Sequence, residues 1–172
     1  MNRKFLTRDL ILGGVLLALG IVIPMIFHTV GIMGTVFLPM HIPVLIGGLL
    51  ISPALALLLG MITPILNSSL TGMPLMFPIA TIMMFELGAY GLISSLSTRK
   101  LKLSPILALI ISMIIGRIVA GITVFVLSSY FGVQMNALTY VKGSIITGLP
   151  GIGIQLILIP SLVYALKKAN KV

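Results

Sequence analysis

Residues 72–96 form an apolar stretch long enough to cross a bilayer, and one carboxylate, Glu86, sits in its middle. No other Asp, Glu, Lys or Arg occurs between Leu10 and Thr98. A charge at bilayer depth costs roughly 2.5–3.5 kcal/mol, so Glu86 is expected to face protein rather than lipid. At helical spacing Tyr90 shares its face. Two cations follow in later apolar stretches: Arg117, within Ile115-Gly116-Arg117, and Lys142, within Tyr140-Val-Lys-Gly-Ser144. Arg presents five donors in a planar fork suited to a carboxylate or phosphate. Glu86 and Arg117 read either as a structural ion pair between two spans or as groups that touch a ligand, and the two roles are compatible. Lys142 reads either as a side chain snorkelling to the headgroups or as a second cation of a net positive site. Such a site would suit a monoanionic organic solute.

Ser144, Gly148, Gly151 and Gln155 follow at spacings of four, three and four, a small and polar stripe on one helical face. Pro150 leaves the carbonyl of Ile146 without its helical donor, which predicts a break at residues 150–153. A broken helix there is either a wall of a binding site or a packing kink. Asn67, Ser68 and Ser69 end an earlier span on the side that carries His28. His28 and His41 are too few and too far apart for a metal site, and no Cys is present to supply a thiolate. The eleven Met residues suit lipid-facing and core filling better than a metal path. The chain has no G-x-x-x-x-G-K-[ST] loop, HExxH or G-x-S-x-G. It is therefore not expected to bind ATP by that loop, to carry a cofactor or to be an enzyme.

The elements that must position these residues are helices in a membrane. Mean hydropathy is +1.27, with 59% hydrophobic and 8% charged residues, where soluble domains are about a quarter charged. The expected fold is all-α, a single membrane domain over residues 1–172. Six spans are expected, at about 9–27, 37–51, 54–70, 75–97, 105–130 and 138–166, each near the ~20 residues a crossing needs. The basic, apolar start is read as the first span rather than a signal peptide. Residues 28–38 read as a loop or re-entrant segment, the third span is interrupted at Pro64, and Ser104-Pro105 is a start signal for the fifth. Five spans result if the second and third form a re-entrant pair. Nine basic residues (Arg3, Lys4, Arg8, Arg99, Lys100, Lys102, Lys167, Lys168 and Lys171) fall on one side of the six-span layout, against at most Lys142 on the other. Both termini are then cytoplasmic. The formal charge of +9 thus reads as membrane orientation, not nucleic-acid binding.

With these residues assembled, the chain resembles the substrate-binding (S) component of an energy-coupling factor (ECF) vitamin transporter. It resembles the branch that includes proteins assigned to pantothenate, hydroxymethylpyrimidine or pyridoxine, and cobalamin. The likeness covers nearly the whole chain. It is carried by Met40-His-Ile-Pro-Val-Leu-Ile-Gly-Gly48, Thr71-Gly-Met-Pro74, Phe85-Glu-Leu-Gly-Ala-Tyr-Gly91, Gly116-Arg117 and Gly148-Leu-Pro-Gly151. The family's Ala-x-x-x-Ala docking pattern on the first helix appears here as Gly14 and Ala18, both still small. The resemblance implies six helices and a pocket near the outer face, walled by the loop after the first helix and by helices four to six. It implies a transmembrane coupling protein and two ATP-binding subunits as partners, a prokaryotic plasma-membrane location, and a binding protein that topples to release its cargo. Carried onto this chain, Glu86, Tyr90, Arg117, Lys142 and Gln155 become pocket candidates, with Asn67 and His28 behind them. The net positive arithmetic tilts the expected cargo toward pantothenate.

A stand-alone secondary transporter or facilitator, with Glu86 as its proton site, is the competing reading; counterflow in liposomes would separate the two. No large internal repeat is apparent, and many secondary transporters are built from repeats. An intramembrane enzyme lacks a nucleophile–base or metal-ligand set.

Overall fold

The computed structural model describes residues 3–31 and 34–168, with side chains over residues 7–31, 34–166 and 168. Lys171 and part of the 28–38 connection lie outside the described residues. The described chain is helical throughout: α1 (Arg3–Thr29), α2 (Gly34–Phe37), α3 (His41–Leu50), α4 (Pro53–Thr71), α5 (Thr81–Arg99), α6 (Pro105–Tyr130) and α7 (Ala137–Lys168). A single wide turn, Met76–Ala80, leads into α5. Five helical stretches are long and apolar enough to cross a membrane: Thr7–Thr29, Pro53–Thr71, Met76–Arg99, Pro105–Tyr130 and Ala137–Leu166. The segment Gly34–Leu50 is apolar but shorter. The second expected span, 37–51, is thus a short helix, a break at residues 38–40 and a ten-residue helix.

Local chemistry explains the boundaries. Ser52 and Ser104 are extended residues followed by Pro53 and Pro105 at the first helical positions. The Ser104 hydroxyl accepts the Leu107 N–H at 3.4 Å. Gly72, at φ +74°, closes α4 in the left-handed conformation that costs glycine least. The expected interruptions at Pro64 and at residues 150–153 do not occur as breaks: α4 runs through Pro64, and α7 through Pro150 and Pro160. Membrane helices tolerate such prolines when neighbours satisfy the freed carbonyls.

The core is centred on α3, nine of whose ten residues are buried, packed by α1, α4, α5 and α7. Helices α4 and α5 meet with backbones nearly touching: a side chain at Gly60 would strike the Leu87 backbone, and one at Gly91 the Ala56 carbonyl. By contrast α1 leaves Ile11, Val15, Leu19 and Val22 exposed.

At one end of the bundle the Asp9 carboxylate, 4% exposed, accepts the N–H of Ser52 at 2.8 Å. Arg99 lies 3.7 Å from Asp9 and donates to the Leu50 carbonyl at 2.7 Å. Ser95 donates to the Ile51 carbonyl at 2.8 Å. The α3–α4 turn is therefore held by α1 and α5 together. Midway along α1, Asn67 donates to the Gly20 carbonyl at 2.8 Å, fixing α4 against it.

Candidate functional site

Glu86 and Arg117 face each other across the α5–α6 contact, Oε1 to Nη1 at 2.6 Å. Glu86 is 1% and Arg117 8% exposed. Tyr90, one turn beyond Glu86, donates its hydroxyl to the same oxygen at 2.8 Å. A charged pair removed from water is tolerable only when geometry and further hydrogen bonds offset its desolvation; here both cation and phenol converge on one carboxylate oxygen. Gly116 makes this possible. The Tyr90 ring occupies the space where a side chain at position 116 would begin.

The pair borders a cavity of about 890 Å³ at the end of the bundle opposite Asp9 and Arg99. Its walls come from His28 at the end of α1, from Thr35 to His41, and from Met73, Ile79 and Met83 on the approach to α5 and in α5 itself. Gln134 and Asn136 close one side, with Thr139, Tyr140, Ser144 and Thr147 of α7. Most of the wall is apolar, with a few convergent polar groups, the usual character of a small-molecule site. A second groove of about 820 Å³ runs between α6 and α7, but apart from Arg117 it is lined by apolar residues such as Ile118, Phe125, Leu138 and Leu149. The first cavity is therefore the candidate site.

The residues singled out in the sequence divide. Glu86, Arg117 and His28 border the cavity. Tyr90 lies one layer behind it, against Glu86 and tilted against His41 at 5.5 Å between ring centroids. Gln155 is buried and donates to the Leu38 carbonyl at 3.3 Å. Asn67 is occupied with the Gly20 and Thr63 carbonyls. Neither borders the cavity. Lys142 is exposed and outside the lining, so it adds no charge to the wall. The stripe on α7 is divided too. Ser144 reaches the cavity. Gly148 and Gly151 instead receive Leu38 and the backbone of Val36 and Phe37, too close for any side chain at position 151.

Several wall residues drew no attention in the sequence: His41 as a cavity residue, Thr35, Gln134, Asn136, Thr139 and Tyr140. A short polar cluster from Gln134 to Tyr140 at the mouth of a span was the available signal. Among the described residues no group of three or more His, Cys, Asp or Glu is placed to hold a metal.

Gly14 and Ala18 lie on the exposed face of α1, and no described residue comes within 4 Å of where a side chain at Gly14 would begin. Together with the neighbouring exposed aliphatics they leave one smooth strip of α1 unpartnered.

The sequence model of the ECF transporter substrate-specific component matches residues 8–163. Neither a curated protein nor a solved structure gives a match to the chain. The match covers every residue that borders the cavity and all but the outer ends of the five helices long and apolar enough to cross a membrane. The chain belongs to the substrate-specific components of ECF transporters, the membrane subunits that capture cargo for an ATP-driven importer.

Proposed function

We propose that the cavity is the capture site for a water-soluble vitamin or vitamin precursor, taken up from the extracellular side of a prokaryotic plasma membrane. The observation that carries this reading is the buried Glu86–Arg117 pair on the wall of a cavity of about 890 Å³. That volume lies within the roughly 300–1,000 Å³ usual for small-molecule sites. Glu86, Arg117 and His28 are proposed to meet the cargo. Tyr90, Gln155 and Asn67 are proposed to act through the groups they hold, and Lys142 to interact with headgroups rather than cargo.

The topology that supports this use has six crossings, the sixth supplied by Gly34–Leu50, in one membrane domain with both termini cytoplasmic. The cavity then opens outward, and the end with Asp9 and Arg99 faces the cytoplasm, in keeping with the basic residues around it. Gly14 and Ala18 on the bare strip of α1 are proposed to seat the transmembrane coupling protein, to which two ATP-binding subunits attach. Lys142 stands outside the cavity wall, so Arg117 and Glu86 balance there, and no excess positive charge favours an anion such as pantothenate over other vitamins.

Mass spectrometry of small molecules that copurify with the detergent-solubilised protein tests the reading. One vitamin-like compound, retained stoichiometrically and lost in Arg117→Ala, is the expected result. A protein that carries no small molecule and binds none from a panel of water-soluble vitamins would overturn it. Gly14→Leu with Ala18→Leu is expected to keep cargo binding and to lose the coupling protein in pull-down.

A further inference from the structure

His41 is 4% exposed and borders the cavity. Both ring nitrogens are shut off from solvent, and neither has a hydrogen-bond partner. A neutral imidazole always carries one donor and one acceptor, so two capacities are left unmet at this wall. Burial without partners is the costly arrangement for a polar group. On the same wall, Arg117 spends Nη1 on Glu86, while its Nε has no partner either. Buried polar groups without a partner in the protein are met by ordered water or by a bound molecule, and at a cavity wall a bound molecule can supply both.

Charge decides what that occupant is. Glu86 and Arg117 are the only Asp, Glu, Lys or Arg on the described cavity wall, and they already neutralise each other. An anion would have to share Arg117 with Glu86 at contact distance, and a cation would have to share Glu86 with Arg117. An uncharged molecule avoids both conflicts. Met40, Met73, Met83 and Met135 also border the space, and thioether sulfur packs favourably against aromatic rings.

We propose that His41, with the Nε of Arg117, is the polar end of the site and reads a donor–acceptor pair on an uncharged ring compound whose flat body lies among the methionines. This rests on the cavity being the capture site. His41 and Arg117 already border the cavity, and a rotation of each side chain presents its unpartnered nitrogen to the cargo. Tyr90, tilted against the His41 ring and bonded to Glu86, positions it.

The test uses the full chain in detergent at slightly alkaline pH and calorimetric titration with three probes: pyridoxine and hydroxymethylpyrimidine, both ring alcohols of zero net charge there, and pantothenate, an anion. At least one neutral probe is expected to bind ten-fold or more tighter than pantothenate. His41→Phe keeps a ring beside Tyr90 and removes both nitrogens; it is expected to weaken that probe ten-fold or more. His41→Gln, which restores a donor and an acceptor, is expected to recover part of the loss. The melting temperature of ligand-free His41→Phe should stay at or above that of the parent, which separates recognition from a structural role. Tighter binding of pantothenate, unaltered binding by His41→Phe, or failure of both neutral probes overturns the inference. The capture reading falls only if no small molecule copurifies with the parent protein and none of the panel of water-soluble vitamins binds it.

Discussion

The side-chain amide of Gln155 donates to the carbonyl of Leu38 at 3.3 Å, joining positions 117 apart in the chain. Leu38 has φ +52°, a left-handed conformation that is uncommon for a residue with a branched side chain. Its carbonyl also accepts the N–H of His41 at 3.0 Å, and its side chain presses on Gly148. The small face of α7 is therefore a seat for the segment that delivers His41 to the cavity. The polar stripe on α7 chiefly serves the wall by holding another element in place.

Gln155→Leu should accordingly act at a distance. Removing a buried side-chain hydrogen bond costs about 0.5–1.5 kcal/mol, and the Leu38 turn loses the contact that stabilises its conformation. A fall of a few degrees in melting temperature in detergent is expected, with a larger proportional loss of cargo affinity. Equal binding by parent and variant would show that the seat does not govern the site.

Glu86 and Arg117 offer a sharper test. Removing one partner of a buried pair leaves an uncompensated charge and costs about 3–5 kcal/mol, while replacing both by apolar residues is often tolerated. Glu86→Gln retains an acceptor for Tyr90 and should cost less than Glu86→Leu. Arg117→Met alone should be severe, and Glu86→Leu with Arg117→Met should recover much of the loss while leaving cargo binding abolished. A mutant cycle read by unfolding in mixed micelles measures the coupling.

Tyr90 and Gly116 form the third case. Tyr90→Phe keeps the ring and deletes the hydroxyl that bonds Glu86, at about 1.5–3 kcal/mol for a bond to a charged group. Gly116→Ala places a methyl group inside the Tyr90 ring position, so α5 and α6 must separate. The glycine variant should be the worse of the two in thermal unfolding. If it matches the parent, the close α5–α6 contact is not needed to hold the pair.

How much of this was legible beforehand follows from the chemistry of each residue. Glu86 and Arg117 could be found because an isolated charge in an apolar run has few places to go. Tyr90 followed from the helical spacing. His41 could not be found as a cavity residue, because a single histidine in an apolar run looks the same whether its nitrogens are satisfied or not. The prolines misled: sequence shows that Pro64 and Pro150 remove donors, but not that α4 and α7 run on through them. Asp9 gave no signal, since beside Arg8 at a basic chain start it resembles a surface charge. The partners of the turn at Leu38 were hidden too, because Gln155 and Gly148 lie more than a hundred residues away.

Lys142 supplies a prediction of no effect. It is exposed and borders no part of the cavity, so Lys142→Ala should change cargo affinity less than two-fold in the same titration that shows the large loss for Arg117→Ala. A strong loss would restore the net positive site and with it an anionic cargo.

Asp9 decides between two physical origins for the stability of the opposite end. Its neighbours Arg8 and Arg99 each stand 3.7 Å away, and their side chains are 39% and 41% exposed. Such half-exposed pairs are usually worth no more than about 1 kcal/mol and weaken with salt. The hydrogen bond from the Ser52 N–H, at 2.8 Å, is shorter and better shielded, and is expected to contribute about 1.5–3 kcal/mol. Asp9→Asn keeps the acceptor and removes the charge, whereas Asp9→Ala removes both. If the hydrogen bond dominates, Asn should lie close to the parent in melting temperature and Ala well below it, with little response to salt. If the ion pairs dominate, Asn and Ala should fall together, and high salt should bring the parent down toward them.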